Sequence, residues 1–224
     1  TDVTLTATYT WSNLREKLGY LNPSDTILED RISPFDRPHR FTFAGVFELP
    51  IGRGRKIGNN MNRVLNAFIG GWQINGTYEW QSGEPFLLTG NNLYFPGDVS
   101  TITSRLGDGD GQGGKFGIDR SAIDAPGLVT LTAFSLRNVP TTLDSLRNQP
   151  YSVANLSLTK NFRMGEGRRL QLRAEALNAF NHPYFGAGMG LNPGTAAAPN
   201  TAFGLVTTQR NNPRDIQFGA KFTF

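Results

Sequence analysis

Cysteine is absent from this chain of 224 residues, and methionine and histidine are scarce, with 3 and 2 copies. Without cysteine there is no disulfide, no thiol nucleophile and no thiolate ligand for zinc or an iron–sulfur cluster. Long apolar runs are also missing, and no stretch approaches the roughly 18 residues that a membrane-spanning helix requires. These gaps exclude several classes of enzyme and any membrane-spanning helix within the sequence.

Glycine, proline and aromatic residues are abundant instead. The 26 glycines and 13 prolines are too many for a helical bundle or a coiled coil, and 11% aromatic residues is too high for a disordered chain. This composition predicts an all-β protein with many turns. The net charge of +4 is a mild excess that gives no reason to expect a nucleic-acid partner.

Six segments alternate between apolar and polar residues with a period of two, which is typical of β-strands with one apolar face. These segments are 3–11, 40–49, 72–81, 155–162, 170–176 and 216–224. Four of these runs are nine or ten residues long, and the other two are eight and seven. A tilted strand needs roughly nine to eleven residues to cross a bilayer, whereas ordinary strands have about five or six. The lengths therefore favour membrane-spanning strands.

The connections between these segments alternate in length. Long polar loops cover 12–38, 84–149 and 182–211, whereas 51–68 and 164–168 are shorter. Apolar residues at helical spacing near the end of the first short connection predict an amphipathic turn there. Outer-membrane barrels show this asymmetry, with short periplasmic turns and long outer loops. We therefore predict a section of an antiparallel, up-and-down transmembrane β-barrel.

Six strands are fewer than the roughly eight strands of the smallest closed bacterial barrels. The sheet is therefore expected to be open, with unpaired edges at 2–11 and 212–224, and to be part of a larger barrel. The chain begins at Thr1, without Met and already inside a strand pattern, so we expect a processed or truncated chain.

The alternation predicts one face toward lipid and one toward a watery interior. Aromatic belts are expected at the outer rim (Tyr9, Trp11, Phe41, Phe43, Tyr78, Trp80) and toward the inner rim (Phe47, Trp72, Phe222, Phe224). The predicted lumen-facing residues are Arg40, Glu48, Gln73, Glu79, Arg173, Glu175, Gln217 and Lys221. Arg173 and Glu175 stand two residues apart on one strand, so they are expected to pair with each other or with a plug.

Several segments resemble TonB-dependent outer-membrane receptors, most closely the Oar-like group. The matching segments are His39–Phe41, Glu48–Arg55, Gly70–Ile74, Gln81–Phe86, Arg173–Pro183, Phe203–Gly204 and Pro213–Phe224. Each segment alone is a weak signal, but their order and the terminal phenylalanine make the set specific. The resemblance leaves out much of residues 87–150.

This resemblance implies that the chain is the last part of a 22-stranded barrel that takes up a solute. It also implies an N-terminal plug and a TonB-contact segment, neither of which is in this chain, and contact with outer-membrane lipid in a Gram-negative cell. Phe218, Phe222 and Phe224 resemble the signal read by the barrel-assembly machinery. The role needs no cofactor and no reactive residue, so the chain is not expected to be an enzyme.

Two polar motifs leave alternatives open. Asp108, Asp110 and Asp119 match the oxygen-donor spacing of a calcium loop, but position five is Gln112 and no flanking helices are predicted, so a solvated outer loop is the alternative. The cations Arg53, Arg55, Lys56 and Arg63 in the first short connection either contact anionic lipid headgroups or belong to a solvated turn, which the sequence alone favours.

Two other functions compete with uptake. The same barrel could display its loops as an adhesion or surface-structural protein. A soluble β-sandwich binding module is the other alternative, and it predicts that Phe43, Trp80, Leu172 and Phe218 pack together in a dry centre. The receptor interpretation predicts instead that these four side chains face hydrocarbon.

Overall fold

A computed structural model describes residues 3–88, 92–102, 115–116, 127–165, 167–185, 193–200, 205–206 and 208–224. Six long strands form one antiparallel sheet in chain order, so that strands consecutive in this set are paired. The strands are β1 (Val3–Trp11), β2 (His39–Glu48), β3 (Trp72–Gln81), β4 (Tyr151–Arg163), β5 (Arg169–Leu177) and β6 (Asp215–Thr223). The predicted up-and-down sheet of six long strands is confirmed.

The sheet is open, and β1 and β6 are its two edges, as the alternation predicted. A sheet edge carries unpaired N–H and C=O groups, which hydrocarbon cannot satisfy. In a membrane, both edges therefore require further strands.

The register places most apolar residues of the sheet opposite other apolar residues. Phe43 lies opposite Ala7 and Tyr78, and Leu158 lies opposite Ile74 and Ala174. Most polar positions are matched in the same way. Because a slip of one residue would exchange the two faces, this register fixes one apolar and one polar face.

The apolar face is not a buried core. Leu172 and Phe218 are 41% and 82% exposed, and Phe43 and Trp80 are half-buried. The main cluster of buried apolar side chains lies wholly within residues 86–146 and takes no residue from the six long strands. The four marker residues therefore do not form the dry centre that a soluble sandwich requires.

The two short connections meet at one end of the sheet, which we call the short-turn end. The first contains helix α1 (Arg63–Ile69), whose N-cap Asn62 accepts a hydrogen bond from the Leu65 amide at 2.7 Å. The second is the tight turn after β4, where Gly165 and Gly167 adopt left-handed φ angles of 102° and 75°. Both the amphipathic turn and the tight turn were predicted from the sequence.

The long loops meet at the opposite end, the long-loop end, and they contain several short elements. Four short strand pairs join Arg15–Glu16 to Arg31–Ile32, Pro85–Leu87 to Thr142–Arg147, Leu93–Tyr94 to Val129–Thr130, and Lys115–Phe116 to Leu205–Val206. A fifth pairs Gly194–Thr195 with Ala198–Pro199, and a 3-10 turn covers Val99–Thr101. The loops are therefore folded structures above the sheet.

The loop 84–149 has its own apolar core, which the alternation pattern did not reveal. Nine side chains form it: Phe86, Leu88, Leu93, Phe95, Ile102, Leu128, Val139, Leu143 and Leu146. Phe185, from the loop after β5, packs against the same cluster. The sequence indicated only loop structure here, because short, irregular segments leave no run long enough to show a period.

Strand β4 begins at Tyr151, four residues before the predicted start at 155. The alternation is inverted in these four residues, since Tyr151 and Val153 lie on the polar face while Ser152 and Ala154 lie on the apolar face. Pattern alone therefore assigned them to the loop.

No helix in the described part of the chain is long and apolar enough to span a membrane.

Candidate functional site: the polar face and the loops above it

All eight residues predicted to face a lumen lie on the polar face of the sheet. Arg173 Nε lies 3.3 Å from Glu175 Oε1, so these two side chains pair with each other, one of the two predicted outcomes. Gln217, on the next strand, donates to Glu175 Oε2 at 3.1 Å. The polar face thus carries side chains that are already paired on the sheet itself.

Two further ion pairs stand on this face. Arg40 Nη2 lies 2.7 Å from Glu79 Oε1 near the long-loop end. Glu48 lies at the short-turn end, where its Oε2 is 2.7 Å from Arg55 Nη2. Both pairs are partly exposed to solvent, so each contributes little to stability, about 0–1 kcal/mol, and serves mainly to keep the face neutral.

A concavity of about 230 Å³ is lined by residues of β1 to β4. Its lining combines polar side chains (Thr6, Thr42, Thr77, Glu79, Tyr151 and Asn155) with the less polar residues Phe43, Ala44, Tyr78 and Val153. Asn155 Nδ2 donates to Thr77 Oγ1 at 3.4 Å. Because Arg40 neutralises Glu79, the concavity offers hydroxyl and amide groups with no net charge.

Glu84, directly after β3, joins the three long loops. Its carboxylate accepts from Arg37 of the first loop and from Arg210 of the third, with Nη1 of Arg210 at 2.9 Å. Asn148, at the end of the second loop, donates to Glu84 Oε1 at 3.3 Å. One carboxylate therefore holds parts of all three loops together.

Asp36 makes a second contact between loops, and it is buried. Its Oδ1 accepts from the Leu14 amide at 2.8 Å, and its Oδ2 lies 2.8 Å from Arg147 Nη2. Only 2% of its side-chain surface is exposed. This aspartate joins both ends of the first loop to the strand Thr142–Arg147 of the second.

Further contacts tie the first loop to the second. Glu29 accepts from both the amide and the hydroxyl of Thr141, each at 2.6 Å. Asn22 Oδ1 accepts from the Arg137 amide at 2.7 Å.

Burial lowers the pKa of Arg137, and the negative charge of Glu29 opposes that effect. The guanidinium donates to the carbonyls of Leu88 and Val139, which stabilise its charge in the loop core.

Two tyrosine rings meet edge to face where the loops join the sheet. Tyr151 and Tyr184 make an edge contact with ring centroids 5.4 Å apart. Burial raises the pKa of the Tyr184 phenol, and the nearby Glu84 carboxylate raises it further. The Tyr184 ring therefore remains a neutral aromatic surface beside Tyr151, which lines the concavity.

The predicted calcium ligands Asp108, Asp110 and Asp119 lie outside the described residues. Within the described part of the chain, no group of three or more histidine, aspartate or glutamate side chains is arranged to hold a metal ion.

Aromatic contacts occur near both ends of the apolar face. Toward the long-loop end, Tyr9 Oη lies 2.8 Å from His39 Nδ1, and the Phe41 and Tyr78 ring centroids are 6.3 Å apart. At the short-turn end, Lys160 Nζ lies 5.4 Å from the centroid of Trp72 and 5.1 Å from that of Phe162. Lys160 interrupts the alternation, since it lies between Leu158 and Phe162 on the apolar face. Its aromatic partners explain how a cation is accommodated on this face.

The edge strand β6 carries the predicted assembly residues. Phe218 and Phe222 lie on its apolar face, and the rings of Phe222 and the terminal Phe224 stack with centroids 6.0 Å apart. All three side chains are exposed.

One apolar and one polar face, strands long enough to cross a bilayer, and loops gathered at one end define a section of a membrane β-barrel. The comparison with protein families agrees, since the model of the outer membrane beta barrel domain matches residues 1–217. The chain belongs to this family and lies in the outer membrane. No curated protein and no solved structure matches it.

The membrane position of the apolar face yields a prediction for Leu156, which lies mid-strand opposite Gly76 and Ala176. Leu156→Arg is expected to destabilise the barrel by about 2–4 kcal/mol, because it places a charge near the middle of the hydrocarbon. The matched control is Ser157→Arg, the neighbouring position on the polar face, opposite Asn75 and Glu175. Denaturant unfolding in lipid vesicles measures both, and equal losses would contradict the assignment of the two faces.

Proposed function

We propose that this chain is the C-terminal section of a TonB-dependent, Oar-like receptor that takes up a solute across the outer membrane. The observation that carries the proposal is that the interlocked loops lie at the same end of the sheet as a concavity of mixed polar and apolar lining without net charge. The resemblance of segments between His39 and Phe224 supports the same function. In this arrangement the loops would meet the solute first and the polar face would line its path.

The proposed orientation follows from the loops. Outer-membrane barrels place long loops outside and short turns in the periplasm, so we assign the long-loop end to the cell surface. The open edges at β1 and β6 are filled by the remaining strands of a 22-stranded barrel in this proposal. A plug and a TonB-contact segment, supplied by residues before Thr1, complete the transporter.

The concavity indicates a class of solute. Its hydroxyl and amide groups can exchange hydrogen bonds with a polar ligand, while the Arg40–Glu79 pair leaves no net charge to attract an ion. Tyr151 and Tyr184 supply aromatic surface beside these groups. An uncharged, hydroxyl-rich solute with apolar faces fits this combination best.

The edge strand β6 supports a proposed contact with the barrel-assembly machinery. Its backbone edge is unpaired in this sheet, and its exposed aromatic side chains end at Phe224. A free strand edge can pair with a strand of another protein. The same strand would later close the barrel, so both roles use one surface.

A surface-structural or adhesive function is the second candidate. The loop 84–149 has its own core, and Phe35 and Phe134 are 80% and 102% exposed. A rigid loop assembly with exposed aromatic side chains suits binding to another surface as well as to a solute.

The experiment compares a strain lacking the whole gene with the same strain carrying it, in a defined medium analysed by mass spectrometry. Uptake requires that at least one solute is depleted only when the gene is present and the inner membrane is energised. Depletion that is the same in both strains contradicts the proposal, and gene-dependent attachment that survives an uncoupler supports adhesion.

Phe224→Ala, with Thr223→Ala as control, should lower the amount of protein in the outer membrane if the assembly role holds.

A further inference from the structure

The link between β2 and β3, residues 49–71, carries all of the protein's excess positive charge. It contains Arg53, Arg55, Lys56 and Arg63 and no acidic residue. Outside the link, the remaining 18 basic residues equal the 18 acidic residues in number. Among the described residues only Arg55 of these four forms an ion pair, with Glu48, while the other three are exposed. The charge excess is therefore local and lies at the short-turn end.

Helix α1, within this link, presents apolar side chains that have no cover in the described part of the chain. Val64 and Phe68 stand four residues apart and are 70% and 71% exposed. Leu65 and Ile69 repeat the same spacing and are also exposed, and the helix has no buried residue. Apolar side chains on one side and cations nearby are the features of a helix that lies in the headgroup region of a membrane.

Trp72 and Lys160 mark the level of this helix relative to the hydrocarbon. Trp72 opens β3 on the apolar face, and its Nε1 donates to the Phe68 carbonyl at 2.9 Å, which fixes the end of α1 to that face. Lys160 lies opposite Trp72 on the same face. A cation on the lipid side is costly in the middle of the bilayer and much less so at the interface. The pair therefore places α1 at the interface.

We propose that the link 49–71 is a membrane-interface anchor that binds anionic phospholipid. The apolar side chains of α1 enter the boundary with the acyl chains, while Arg53, Lys56 and Arg63 contact headgroup phosphates. Lipid is the occupant we favour over a protein, because the patch is continuous with the lipid-facing side of the sheet and has the opposite charge to the headgroups. In the proposed orientation this is the periplasmic leaflet.

The test uses the whole receptor with a bimane fluorophore on Ala67→Cys, since this chain has no cysteine of its own. The protein is reconstituted in phosphatidylcholine vesicles that hold a minority of either brominated phosphatidylglycerol or brominated phosphatidylcholine. Each cation near an anionic surface contributes about 1 kcal/mol, which corresponds to about a fivefold preference. We therefore expect the anionic lipid to quench the label several-fold more than the neutral lipid.

Two variants separate charge from apolar insertion. Arg53→Gln/Lys56→Gln/Arg63→Gln should abolish the preference for the anionic lipid, whereas Arg15→Gln/Lys17→Gln/Arg214→Gln, with the same charge change at the long-loop end, should retain it. Val64→Ser/Phe68→Ser should reduce quenching by both lipids. Equal quenching by the two lipids, or a preference that survives loss of the three link cations, overturns the anchor.

Absence of quenching by either lipid also overturns the proposed lipid anchor, and a protein would then be the occupant of this surface. The inference depends on the proposed orientation only for the choice of leaflet. Labelling of Ala67→Cys in intact cells with a membrane-impermeant reagent tests that orientation separately. Reaction from outside the cell would overturn the orientation and leave the lipid preference standing.

Discussion

Replacing Gly83 with alanine is expected to force apart the junction between the sheet and the second long loop. A Cβ atom at this position would overlap the Asn148 carbonyl oxygen and stand 2.5 Å from its carbonyl carbon. Both atoms belong to the backbone, so no side-chain rotation can relieve the overlap. We expect destabilisation at or above the upper end of the usual range for overpacking, about 3 kcal/mol.

The consequence should be local, because Gly83 lies where several loop contacts begin. The Asn148 amide donates to the Glu84 carbonyl at 2.8 Å, and Arg147 Nη1 donates to the Gly83 carbonyl at 3.2 Å. Moving either backbone segment breaks these bonds and displaces Glu84. Hydrogen exchange should therefore rise in residues 127–149 while the six long strands remain protected.

The matched control is Gly19→Ala in the first loop, where a Cβ atom meets nothing within 4 Å. Its effect on stability should stay within about 0.5 kcal/mol. Limited proteolysis of the reconstituted protein provides a second measurement. Equal protease resistance of the Gly83→Ala and Gly19→Ala proteins would show that the junction can shift freely, contrary to this prediction.

Asp36→Ala is expected to have the other large effect, a loss of about 3–5 kcal/mol from the loop assembly. The substitution removes the acceptor of the Leu14 amide and leaves the buried side of the Arg147 guanidinium without its carboxylate. Unsatisfied buried groups of this kind carry their full desolvation cost. The first loop should separate from the second, since Asp36 connects them.

Asp144→Ala provides the control, because Asp144 pairs with the same arginine but its side chain is 73% exposed. Its loss should cost at most about 1 kcal/mol. Hydrogen exchange of residues 12–38 distinguishes the two variants, with strong deprotection expected only for Asp36→Ala. Comparable deprotection in both would mean that Arg147, and not the burial of Asp36, governs the contact between the loops.

Periodicity was a reliable guide wherever one physical constraint acted along a whole strand. A strand with hydrocarbon on one side and water on the other must alternate, so Phe41, Phe43 and Phe47 revealed β2 without any tertiary information. The same constraint predicted the polar face and the open edges. The alternation failed to predict that β4 begins at residue 151. Near the loops, Tyr151 and Val153 line the concavity, so the alternation is inverted there.

The loop assembly could not be predicted in this way, because its contacts join residues far apart in the sequence. Asp36 meets Arg147, and Glu84 meets Arg210, across 111 and 126 positions. Nothing in the residues near Glu84 indicates which arginine will reach it. Lys160 is a similar case, since only the pairing of β3 with β4 brings Trp72 beside it.

The sequence by itself determined the strands, their two faces and the end at which each connection lies, because the boundary between lipid and water acts on every residue of a strand in turn. Only the tertiary structure decided that the long loops share a core and a buried aspartate, and that Lys160 lies beside Trp72. Those features depend on which distant segments meet, and the energy of such contacts leaves no periodic trace in the chain.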